Sequence, residues 1–123
     1  MSDNNKEDKD AFFAAMKEME QHSGNCTNKG KLLENVLTAK EQITFAVIDR
    51  CREAVLQLRQ CHYVVKAHHE RFADTSLGRD NKTRLDELLT VADEASERAT
   101  KALTEIISWV PSAVNTRALG SVR

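Results

Sequence analysis

The sequence predicts an all-α fold: a long antiparallel helical hairpin preceded by a short N-terminal helix. Three observations carry that expectation. Proline occurs once, at Pro111, and the four glycines stand at 24, 30, 78 and 120, so two long stretches hold neither helix breaker. Within those stretches the apolar residues recur at steps of three and four. The two stretches also carry opposite net charge, as consecutive antiparallel helices prefer. At 123 residues the chain is one domain with one modest core.

Residues 1–9 read as a polar, disordered tail, followed by a helical domain over 10–110. Its first helix is expected from about Asp10 to His22, with Phe12, Phe13, Met16 and Met19 in one stripe. "SGNCTNKG" (23–30) is rich in turn formers and is predicted to end that helix. The second helix is expected over 31–73. Leu33, Val36 and Leu37 begin its apolar stripe, and Lys40 is a weak point in it. The seam then runs Ile43, Val47, Cys51, Ala54, Leu58, Cys61, Val65, His68, Phe72, flanked by Ile48, Val55 and His62. "DTSLGRDN" (74–81) is the next break. The third helix is expected over 82–109, with Leu85, Leu88, Ala92, Ala95, Ala99, Ala102, Ile106 and Trp109 as its seam. Pro111 stops it, and 111–123 form a C-terminal tail.

Residues 31–72 hold 7 basic and 5 acidic side chains, a net of +2; residues 73–110 hold 5 and 8, a net of −3. A two-helix hairpin cannot cover a seam this long on both members. The expectation is therefore a homodimer that closes a four-helix bundle through Val47, Cys51, Leu58, Cys61, Val65, His68, Phe72, Leu88, Ala92, Ala95, Ala99 and Ile106. The rival is a monomeric three-helix bundle with the first helix folded over one end. The first helix, with Phe12, Phe13, Met16 and Met19, is the segment expected to bind a partner protein, its rival role being a cap on the core.

Composition removes several function classes. A net charge of −1 lacks the electrostatic footprint of a nucleic-acid binder. The apolar runs are too short to span a bilayer and the polar start is not a signal peptide, so a cytoplasmic protein is expected. Cys26, Cys51 and Cys61 are odd in number and lack CxxC spacing, which points to reduced thiols.

"RQCHYVVKAHHERFAD" (59–74) concentrates Cys61, His62, His68 and His69. A helical metal pair needs ligands one turn apart; His62 and His69 stand seven apart, and adjacent His68 and His69 point about 100° apart. No metal, cofactor or catalytic residue is expected. Cys61 and His68 read as seam residues, with His62 and His69 on its edge. A neutral His68 buried there would weaken the bundle on protonation as pH falls.

Two segments resemble the chemotaxis phosphatase CheZ family. Arg84, Leu85, Glu94, Ala95, Ser96, Glu97, Arg98 and Ala99 are similar to the start of the second arm of its hairpin, and Arg59, Gln60 and His62 to its Thr-Arg-Gln/Glu-Leu-His stretch. Pro111 has a counterpart at a shifted spacing. The resemblance implies a hairpin that dimerises into a four-helix bundle, and a link to two-component signalling. The family's Gln-Asp-x-x-Gly-Gln motif does not follow Ala99; the nearest acid and glutamine one turn apart are Glu53 and Gln57, read as a solvated face.

The leading expectation is a non-enzymatic helical protein–protein interaction module: a small regulator, adaptor or chaperone, partnered by itself and by an unidentified protein. The alternatives are a regulator of a phosphorylated receiver protein acting through Glu53 and Gln57, and a weak nucleic-acid association through Arg79, Lys82, Arg84, Arg117 and Arg123.

Overall fold

The computed structural model describes residues 2–39 and 43–110, and its elements are all helices: α1 (Ser2–Ala39), α2 (Phe45–Phe72), α3 (Ser76–Asp80) and α4 (Lys82–Val110). The long helices α1, α2 and α4 each pack along both of the others, making a three-helix bundle. Glu18 meets His68 and Cys26 meets Leu58, so α1 and α2 are antiparallel. Ser23 meets Leu88 and Gly30 lies against Ala95, so α1 and α4 are parallel. His62 meets Asp93 and His69 meets Asp86, so α4 runs against α2.

The all-α expectation stands, but the division of the chain changes in three places. The polar start is helical from Ser2. The turn expected at 23–30 is helix interior. Apolar and small residues keep the helical period through it: Phe12, Ala15, Met19, Ser23, Cys26, Gly30, Leu33 and Val36 are all buried. Small side chains at the middle of that row let α1 approach its neighbours closely. Ser23 Oγ donates to the Leu88 carbonyl at 2.9 Å, and a Cβ on Gly30 would meet the Ala95 carbonyl oxygen at 3.7 Å. Ala92 and Ala99 of α4 are fully buried on the facing side.

The third change is a break where one long helix was expected. α1 ends at Ala39 and α2 begins at Phe45; the weak point Lys40 lies outside the described residues. Thr44 is the N-cap of α2, its hydroxyl accepting from the Val47 amide at 3.2 Å. Ile43 and Ile48, just before the cap and four residues into the helix, are both buried, the placement of a hydrophobic staple.

The seam expected to join two copies is covered within one chain. Cys51, Leu58, Val65, Phe72, Leu88, Ala92, Ala99 and Ile106 are buried, and Val47, Cys61 and Ala95 pack at the edge of the same core. A 38-residue α1 supplies the third wall that a short helix could not. Each fully buried Leu, Met or Phe contributes on the order of 1.5–3 kcal/mol.

The α2–α4 connection is tight. Thr75 Oγ1 donates to the Phe72 carbonyl at 2.6 Å and accepts from the Gly78 amide at 3.0 Å, starting the five-residue α3. A Cβ on Gly78 would fall 1.6 Å from the Phe72 carbonyl oxygen, so this turn requires glycine. The expected tail 111–123 lies outside the described residues.

Candidate functional site

α2 is the cationic member of the bundle. Its 28 residues hold 5 Arg or Lys against 3 Asp or Glu, whereas α1 holds 5 against 7 and α4 holds 4 against 6. Its three histidines lie on its two flanks and reach across them. His62 Nε2 stands 2.5 Å from Asp93 Oδ1, and His69 Nε2 2.9 Å from Asp86 Oδ1, both on α4. His68 Nε2 stands 2.6 Å from Glu18 Oε2 on α1. The seven-residue spacing of His62 and His69 puts them on one side, and the turn of about 100° to His68 aims it at the other neighbour. The spacing that argues against a shared metal thus distributes the rings between two helices. Each imidazole is 20 % exposed, so the pairs sit at the rim of the core.

His68 was expected on the seam itself; it lies instead at the rim of the core, where its ring faces the Glu18 carboxylate of α1. His69 and then Lys82 hydrogen-bond Asp86 and hold its carboxyl below the usual carboxylate range. The chain's fourth histidine is different in kind: His22 Nδ1 is buried without a hydrogen-bond partner.

The Cys26 thiol is held inert by its surroundings. Cys26 is fully buried and its Sγ lies 3.5 Å from the Leu58 carbonyl. Burial, with a smaller effect from nearby Cys61, pushes its thiol up to about 12, which keeps it protonated and inert at neutral pH. None of the three cysteines is joined in a disulfide. Among the described residues no group of three or more His, Cys, Asp or Glu is placed to hold a metal ion, and no helix is long and apolar enough to cross a membrane.

Of the four residues expected to bind a partner, Phe12 and Met19 are fully buried, Met16 packs against the core and Phe13 alone is exposed. Phe12 meets the Phe72 ring edge-on at 5.4 Å. Glu53 and Gln57 lie on the outside of α2, where Gln57 Nε2 donates to Glu53 Oε1 at 3.4 Å. Arg79 donates to the Asp74 carbonyl, Lys82 pairs with Asp86, and Arg84 with Glu20 and Glu87; Arg117 and Arg123 lie outside the described residues.

A second feature of α2 was not expected. Its outward face carries Phe45, Leu56 and Tyr63, which are 64, 59 and 71 % exposed. They stand eleven and seven residues apart, close to three and two whole turns, so they form one line about 27 Å long opposite the core. The exposed cations Arg52, Arg59 and Lys66 run beside it. The spacing is present in the sequence, where it is interleaved with the longer continuous seam on the other side of the same helix. Comparison with protein-family models, with curated proteins and with solved structures finds no match for this chain.

Proposed function

We propose that this chain is a non-enzymatic helical interaction protein that packs the outward face of α2 against a helix of a partner protein. The observation that supports this reading is the line of Phe45, Leu56 and Tyr63 on a helix whose other side is already buried in its own bundle. Large apolar residues aligned on one exposed helix face suit helix-to-helix docking. Charge narrows the partner. Between 52 and 66 the α2 sequence holds three cations, Arg52, Arg59 and Lys66, against one acid, Glu53, a net of +2. The matching surface is an amphipathic helix with acids flanking its apolar residues.

A photo-crosslinking residue at position 63, compared with one at exposed Thr100 on α4, tests the reading in the native cell. Crosslinks specific to position 63, lost with Leu56→Asp, are expected; the adducts also tell a second copy of the chain from a different protein. Equal yields at the two positions would overturn the assignment of this face.

A further inference from the structure

We propose that the three histidines of α2 form an acid-strengthened clamp, tightening the bundle as pH falls from about 8 to 5.5. The inference concerns the bundle itself and holds whether or not the outward face of α2 has a partner. Three cross-helix contacts carry it: His62 with Asp93, His69 with Asp86, and His68 with Glu18. Between them they tie α2 to both of its long neighbours. Histidine changes charge within this pH range, whereas carboxylates stay ionised down to about pH 4.

The sign follows from the partners. A neutral imidazole can give each carboxylate one ordinary N–H hydrogen bond. An imidazolium gives a charge-assisted one, roughly twice as strong. In the unfolded chain the carboxylates are far away, so the gain belongs to the folded state. The added stability is complete when the histidines are charged and is lost as pH rises and they become neutral. His69 and then Lys82 hold the Asp86 carboxyl below the usual carboxylate range, so it stays an anionic partner throughout this window.

Other charges modify the clamp without reversing it. Lys82 shares Asp86 with His69, its Nζ at 2.5 Å from Oδ2, and reduces what that imidazolium adds. On α2 itself Lys66 and Arg71 oppose the positive charge and Glu70 favours it. Facing α2 and α4 from α1, Glu18 pairs with His68 and Glu20 is engaged by Arg84. His22 works in the other direction. Its Nδ1 is buried without a partner, so charging it puts an unpaired proton donor into the core. The three rim pairs together must outweigh that single opposing group, and the expected net gain in the folding equilibrium constant is a few-fold, on the order of three, between pH 8 and 5.5.

Urea unfolding of the full chain across pH 8, 7, 6 and 5.5 tests the proposal. The wild type should unfold at higher urea at pH 5.5 than at pH 8. The triple variant His62→Gln, His68→Gln, His69→Gln should lose that rise. The triple variant Glu18→Gln, Asp86→Asn, Asp93→Asn, which keeps all the histidines, should lose it too. His22→Gln should steepen it. If a triple variant does not fold, each single histidine variant must remove part of the rise. A wild type that is flat or weakens towards pH 5.5, or a histidine triple variant (or every single variant) that keeps the full rise, would overturn the proposal.

Discussion

The segments 23–30 and 74–81 look alike in composition and behave in opposite ways. "SGNCTNKG" and "DTSLGRDN" both gather glycine, asparagine and hydroxyl residues, yet the first is the middle of α1 and the second is the turn between α2 and α4. The difference lies in what continues across them. Ser23, Cys26 and Gly30 keep the three- and four-residue steps that link Met19 to Leu33, so each helical turn still has something to bury. Across the second segment the steps fail: Leu77 follows Phe72 at a step of five, and Thr75 caps a new helix. Turn formers therefore weigh less than an unbroken period, because most of a helix's stability in a protein comes from packing one face.

Charge breaks this comparison most strongly. Cys26→Asp puts a carboxylate at a position with no exposure between α1 and α2 and should cost several kcal/mol, on the order of 3–5. Ser76→Asp, at an exposed site at the start of α3, should change stability by no more than about 0.5 kcal/mol. Chemical denaturation of the two variants reads the contrast; similar costs would mean that 23–30 is not part of the core.

Glycine sharpens it with smaller effects of opposite sign. Gly78→Ala forces a Cβ against the Phe72 carbonyl and should destabilise by about 1–3 kcal/mol. Gly24→Ala meets nothing within 4 Å in a helix interior and should stabilise by roughly 1 kcal/mol. Thermal melts of both give the signs, and a loss from Gly24→Ala would contradict a helical conformation there.

Much of the bundle was legible in the sequence for a physical reason. The seam of α2 from Cys51 to Phe72 and that of α4 from Leu85 to Ile106 are local patterns, and both seams line the core. The α1–α2 break was legible only in part: Thr44 with Ile43 and Ile48 is a helix-start signature, masked by a stripe that runs on either side of it. The length of α1 was hidden because its middle is made of residues whose intrinsic preference is for turns. A short α1 leaves the seam without a third wall, which is the ground for expecting a second copy; the 38-residue α1 supplies that wall within one chain.

The histidines divide in the same way. Their spacing showed that they do not converge on one ion. Their carboxylate partners were out of reach, because Glu18 stands 50 residues from His68 and the pairing depends on α1 being straight through 23–30. The clamp and the bundle therefore share one premise.

Amide hydrogen exchange at residues 25–30 tests that premise most directly. If α1 is continuous, these amides bond to carbonyls one turn earlier and are held between α2 and α4. They should be protected to the same degree as those of Leu33 and Val36, exchanging only when the bundle opens. Exchange at the rate of an unstructured loop, with protection confined to either side of 23–30, would contradict the three-helix bundle described above.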